Sequence, residues 1–447
     1  MKRILLLIAC SATLAACGSD SELPNPTGKG AVRMINAMPG SPPVRFLIEE
    51  RADALVNYKG ISTPEQYDDF SYTFNFEVGL PGESQFTRFA SSTIAVEKDR
   101  EHMFMLSGNI DNPVITFWDG DIRAFNDGDT VLEARFSHAS ATLGDIDVYF
   151  DPPGTVLGTN PPAATLAFGE ISNPADFAAG EYVLTVTDAN DPGTVHFATS
   201  GNDLLAQFAH VVTVFDGDAN DTGTVAVRTM TSVGNPLTFN DVTNPAALRF
   251  INTAFETQAV DIYRDDQLTD LVAANVTFGG TTAYLDAPTE TTTYYFTPAG
   301  NTAQIIFEQE YTAQAPATYA NIFIAGRAAG ELAIRLVPDR APYSSSARMS
   351  IFHGATNNSS FNAYLVERGE EFTDQIGAIM VDVRFLASSP VVDLVPGSYD
   401  LYLRDRTTLE VISPALPVDL VAGEVVELIA VDTADTAVIE TIDITLP

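Results

Sequence analysis

The chain writes one phrase four times, and that repetition limits its fold more than any other feature. Residues 132–151 read LEARFSHASATLGDIDVYFD and residues 247–266 read ALRFINTAFETQAVDIYRDD. Looser copies begin at Ala31 (AVRMINAMPGSPPVRFLIE) and Ala347 (ARMSIFHGATNNSSFNAYLV). Each copy has an apolar run with an arginine, a polar gap and a second, alternating run. The starting basic residues are Arg33, Arg135, Arg249 and Arg348, spaced by about 100 residues, the length of a small domain.

Two further landmarks follow in the same order. One is a turn leading into polar and aromatic alternation: LPGESQFTRFA from Leu80, AAGEYVLTVTD from Ala178, APTETTTYYFTPAG from Ala287 and VPGSYDLYLRD from Val395. The other is a late apolar run: HMFMLSG to Gly108, HVVTVFD to Asp216, NIFIAG to Gly326 and ELIAVD to Asp432. Solenoid repeats are shorter and cannot bury a face alone, whereas a unit of this length can hold its own core. The spacing predicts four units at residues 31–128, 129–244, 245–343 and 344–447, arranged as beads on a chain.

Strand signals dominate each unit. EYVLTVTD sets Tyr182, Leu184 and Val186 against Glu181, Val183 and Thr185, the alternation of a half-buried strand, while VVELIAV is a continuous apolar run suited to a more buried one. Pro-Gly, Asp-Gly and Asn-Pro pairs interrupt the runs, and no long 3.6-residue period survives between them. The expected fold class is all-β, a tandem series of antiparallel β-sandwich, immunoglobulin-like domains. In this reading the opening phrase is the first hairpin of each domain.

The motifs His138-Ala139-Ser140 with Asp147-Val148-Tyr149, and Asn252 with Asp261-Ile262-Tyr263, resemble the domain of unknown function family 4397 (DUF4397). The likeness loosens where Val44-Arg45-Phe46 and Asn362-Ala363-Tyr364 replace the D-V-Y run. It implies an extracytoplasmic β-sandwich and no particular chemistry.

The N-terminus, MKRILLLIACSATLAACGSDSELP, has Lys2 and Arg3, an apolar stretch and small residues before Cys17. That stretch is shorter than the roughly 20 residues that span a bilayer and has the form of a secretory signal. Leu14-Ala15-Ala16-Cys17 resembles the lipobox of bacterial lipoproteins. The resemblance implies cleavage after residue 16, with Cys17 as the acylated first residue, carrying a diacylglyceryl thioether and a further acyl chain such as palmitate. Gly18 after the cysteine favours the cell outer membrane by the same analogy. Cys10 leaves with the signal, so the mature chain keeps no cysteine pair for a disulfide. Residues 17–30 read as a polar tether reaching up to about 45 Å at 3.3–3.6 Å per residue.

Basic residues number 23 against 59 acidic ones, a net charge of −36. That balance argues against nucleic acid or an anionic lipid surface as a partner, because both would be repelled. Apart from the lipid anchor, the partner expected is an envelope protein or a glycan. Asp216, Asp218, Asn220 and Asp221 in FDGDANDTG place oxygen ligands as a calcium loop would, though Asp221 stands where an EF-hand requires glycine. An acidic turn is the bland alternative, and Trp118–Asp121 (WDGD) and Asn126–Asp129 (NDGD) also read as turns. The five histidines are His102, His138, His196, His210 and His353, with no G-x-S-x-G elbow beside them. His138 and His353 stand where other units have Asn36 and Asn252, which suits a strand-end side chain bonded to backbone. Tyr294-Tyr295 and Tyr399-Tyr402 are candidate sugar-stacking pairs. The expectation is a non-enzymatic envelope module for binding, adhesion or scaffolding; the alternative is an extracytoplasmic hydrolase with its site between units.

Overall fold

The computed structural model describes residues 25–217, 225–231, 237–257, 259–316, 318–326, 331–336, 346–435 and 438–443. The signal, Cys17 and most of the tether lie outside them. The described chain is all-β, and its strands form eight sheets that face each other in four successive pairs.

The first sheet of each pair is built around an opening strand, Lys29–Asn36, Val131–His138, Ala247–Asn252 or Ala347–His353, lying beside a late strand, Arg100–Gly108, Ala209–Asp216, Tyr319–Ala325 or Val425–Asp432. These two strands run parallel in all four units, whereas every other pairing is antiparallel. The second sheet centres on a second strand, Val44–Ile48, Ile146–Asp151, Ala259–Tyr263 or Ser360–Glu367. It pairs antiparallel with a turn strand, Ser71–Gly79, Gly180–Asp188, Thr292–Pro298 or Gly397–Asp405.

This arrangement corrects three sequence expectations. The opening phrase is not a hairpin, because its two runs enter opposite sheets; the polar gap is the corner where the chain crosses the sandwich. The strands are not wholly antiparallel, since the opening and late strands pair in parallel. The third correction concerns the turn landmark in the first unit, where LPGESQFTRFA lies one strand late. Its equivalent is the turn strand SYTFNFEVG, and the Pro-Gly turn leads out of that strand. Turn chemistry marks a corner but not which corner.

Each unit has its own core, in which the two sheets alternate inward. In the first unit Val32 and Met34 meet Phe46, Phe74 and Phe76. The second joins Leu132 and Phe136 to Val148 and Leu184, the third Leu248 and Phe250 to Ile262 and Phe296, and the fourth Met349 and Ile351 to Ala363 and Leu403.

Parallel strands are ordinarily covered on both faces, and so they are here. The residues that alternate away from the cores form two further clusters between units. Ile35, Ala37, Met103 and Met105 of unit 1 pack on Ala139, Val211, Phe215 and Met230 of unit 2. Ile251 and Phe323 of unit 3 pack on Phe352, Ile429 and Val431 of unit 4, with Phe323 and Phe352 stacked at 3.7 Å. The units are therefore two back-to-back pairs and not independent beads.

Candidate binding surface

The repeated arginine belongs to the faces between units. Arg33 (1% exposed) reaches Glu101 at 2.6 Å and donates to the Thr231 carbonyl of unit 2 at 3.3 Å. Arg135 pairs with Glu133 at 3.0 Å and lies 3.4 Å over the ring of Trp118, the single tryptophan, which belongs to unit 1. Burial lowers both guanidinium pKa values, and Glu101 opposes that shift on each. Three hydrogen bonds add to this face: Arg228 to the Lys59 carbonyl at 3.0 Å, Tyr58 to the Asp216 carbonyl at 2.9 Å, and Thr116 to the Gly169 carbonyl at 2.8 Å.

Between units 3 and 4, Arg249 bonds Asn321 at 2.7 Å and Glu427 at 2.9 Å. Its counterpart in unit 4 is Ser350, which lies opposite Glu427 as Arg249 lies opposite Asn321. The sequence alignment on Arg348 was thus two residues early, a slip the period of two conceals because both residues face the same way. Arg348 pairs instead with Asp393 at 2.7 Å and reaches the Gly40 carbonyl of unit 1 at 3.3 Å.

The acidic residue of the D-V-Y run performs a second structural task. Asp147 accepts from the Asn190 amide at 2.8 Å and the Thr165 hydroxyl, and Asp261 accepts from the amides of Asn275 and Gly300, both at 2.7 Å. In unit 4 the carbonyl oxygen of the Asn362 side chain accepts from the Asp382 amide at 2.9 Å. Asn190, Asn275, Asp382 and Gly300 all have positive φ, at 63°, 53°, 56° and 72°. Outside glycine such a backbone costs about 1–2 kcal/mol, which these hydrogen bonds offset.

Asp216 is also a clamp. Its carboxylate accepts from the Ser140 hydroxyl, the Ala141 amide at 3.2 Å, and the Thr142 amide and hydroxyl at 3.2 and 2.7 Å. Asp432 repeats this in unit 4 with Thr356 and Asn357. Asp218, Asn220 and Asp221 lie outside the described residues, and among the described residues no group of three or more metal-ligating side chains occurs. Asn126–Asp129 forms a turn, with the Asn126 amide donating to Asp129 at 2.7 Å. Trp118–Asp121, expected as a turn, is the end of a regular strand, Pro113–Asp121, because its partner Arg100–Gly108 continues alongside.

Three of the four strand-end side chains, Asn36, His138 and Asn252, bond to backbone, and His353 is the exception. Asn36 and Asn252 each hold the corner after the opening strand, donating to Val56 and Val276 carbonyls at 3.1 and 3.0 Å. His138 bonds the Gly144 carbonyl at 2.9 Å, and buried His353 packs on Phe361 at 4.6 Å. Burial pulls the pKa of His353 down to about 4, and does the same to His210, which bonds Thr229. His196 sits 2.7 Å from Asp188 on a more open edge strand.

The tyrosine pairs separate. Tyr294 is in the core while Tyr295 faces outward and is half-buried. Tyr399 bonds the Val395 carbonyl, and the ring face of Tyr402 is occupied by Phe372, parallel at 4.9 Å. The most exposed large apolar side chain among the described residues is Val156, 74% exposed, in the loop of residues 152–163.

Residues 246–364 match the family model of a domain of unknown function, DUF4397. The match takes in unit 3, the opening strand of unit 4 and the first part of its second strand. No curated protein matches the chain. Among solved structures, the Bacillus anthracis TIE protein is 10% identical, with 91% of this chain and 69% of that one covered and a TM-score of 0.15. The CBM26 module of Eubacterium rectale Amy13K, solved with maltoheptaose, is 13% identical over 45% of this chain and 97% of that one, TM-score 0.16. The pneumococcal glycogen-degrading virulence factor SpuA is 8% identical over 86% of this chain and 37% of that one, TM-score 0.16.

Proposed function

We propose that the protein is a lipid-anchored component of the cell envelope, held by Cys17 at the outer membrane, whose paired sandwiches serve as a non-enzymatic binding, adhesive or scaffold module for an envelope protein or glycan. One observation carries this reading: two of the faces at which a hydrolase site between units could sit, those between units 1 and 2 and between units 3 and 4, are filled by packed apolar side chains and buried arginine–carboxylate pairs. The surface left for contact is loops on stiff strands, which present side chains at little entropic cost. Among the described residues, His196 with Asp188 is the one histidine–acid pair that favours the alternative hydrolase reading, and no described hydroxyl bonds it.

The test pairs two experiments. In the first, the chain is expressed with a labelled fatty acid. Label and membrane fractionation should both be lost in Cys17→Ser, and an unlabelled wild-type chain would refute the anchor. In the second, purified chain is applied to envelope fractions and a glycan array. Binding weakened by Val156→Asp supports the module. Turnover of model esters, glycosides or peptides that His196→Ala abolishes would establish the hydrolase.

A further inference from the structure

The last strand of each second sheet is an edge, paired on one side with the turn strand and with no described strand on the other. Such an edge offers a row of backbone donors and acceptors to any extended chain, and proteins blunt it with shortness, charge, proline or bulges. Three of the four edges are blunted. Asp191–Ala198 carries Asp191, Pro192 and two register breaks; Phe307–Tyr311 has five residues with Glu308 and Glu310; Leu416–Leu420 has five with Pro417 and Asp419.

The equivalent strand in unit 1, Phe86–Ala95, has ten residues, no acid and no proline, and its one register break, at Phe89, leaves Ala90–Ala95 paired without interruption. Its single charge, Arg88, is drawn onto Glu50 and Glu77, each at 3.1 Å. In a chain of net charge −36, an acid-free edge is where two copies meet with least repulsion. The core beneath it is also incompletely closed: Phe89, Ala90 and Ile94 pack against it but are only partly buried.

We propose that Phe86–Ala95 is the seam of a homodimer, in which two copies pair antiparallel and join two four-stranded sheets into one of eight. Directly opposed residues must face the same side of a sheet, so the two-fold axis passes through a residue and not between two. Centring it on Ser92 sets Ile94 against Ala90 of the other copy, covering both apolar side chains, and Thr93 against Ser91 on the outer side. Centring it on Thr93 would instead oppose Ile94 to Ser92.

The test uses the full chain with Cys10 and Cys17 replaced by serine, so that an introduced cysteine is the sole thiol. Sedimentation equilibrium should find a dimer. Ser92→Cys should form a disulfide-linked dimer on mild oxidation, since opposed Cα atoms lie about 4.5–5.5 Å apart, within disulfide reach. Val156→Cys, exposed in the loop of residues 152–163 in unit 2 and outside the seam strand, should not. Thr93→Lys should weaken dimerisation at least about tenfold while leaving the circular dichroism spectrum of the folded chain unchanged. A chain monomeric at about 100 μM, a dimer indifferent to Thr93→Lys, or a dimer that Ser92→Cys leaves uncrosslinked each overturns the proposal.

Discussion

Removing Arg249 tests the pairing of units 3 and 4 most directly. The Arg249→Met variant keeps the stem and deletes a guanidinium bonded to Asn321 at 2.7 Å and Glu427 at 2.9 Å, with the Tyr284 ring at 5.3 Å. The Arg249 side chain is 0% exposed and that of Glu427 7%, so water cannot replace the lost partner. Breaking a buried pair from one side costs about 3–5 kcal/mol, and at 2–4 °C per kcal/mol for a cooperative block of this size Tm should fall by roughly 10 °C. Replacing both partners, Arg249→Met with Glu427→Leu, should recover most of the loss, because no charge is left buried. A circular dichroism melt reports the fall, while Trp118 emission reports the other pair of units and should melt unchanged. A folded Arg249→Met chain that melts within about 2 °C of wild type would mean that Glu427 is solvated and the two units are not packed as described.

Four further outcomes follow from individual residues. Burial holds His353 near 4, below its ordinary 6.5, so the neutral form is favoured in the fold; stability from this group is complete above pH 6.5 and is lost as pH falls toward 4. Chemical denaturation at pH 7 and 4.5 should show a loss approaching about 3 kcal/mol from this histidine, and His353→Asn, with the residue found at Asn36 and Asn252, should remove that share. Asp261→Ala should destabilise by about 1–3 kcal/mol in urea melts and Asp261→Asn by less, since Asn362 already serves unit 4. Asp216→Ala should cost a similar 1–3 kcal/mol, roughly equal with calcium or with a chelator, because its oxygens are occupied by Ser140, Ala141 and Thr142. Arg135→Ala should shift the emission of Trp118, whose ring it covers at 3.4 Å; an unchanged spectrum would place the indole elsewhere.

Alternation was a good guide to strands and a poor guide to partners. Leu184 and Val186 of EYVLTVTD do enter the core, and VVELIAV is buried along almost its whole length. The same rule could not say that ARFSH and DVYF join opposite sheets, because period two records which side chains share a face and nothing about which strand lies alongside. The structural roles of Asp147 and Asp261 were illegible for a related reason. Their partners Asn190 and Gly300 lie some 40 residues away along the chain, at turns whose left-handed backbone has only a weak sequence signature. The one readable clue to pairing was the doubly apolar late strand, which needs cover on both faces.

Local order alone was therefore enough to establish an all-β chain of recurring units, since hydrophobic period, turn residues and composition are properties of neighbouring residues. The tertiary structure decided that opening and late strands lie parallel, that the repeated arginines and acids fasten units and turns, and that the four units form two pairs. Those outcomes depend on which distant faces exclude water from one another, and a linear pattern contains no record of that choice.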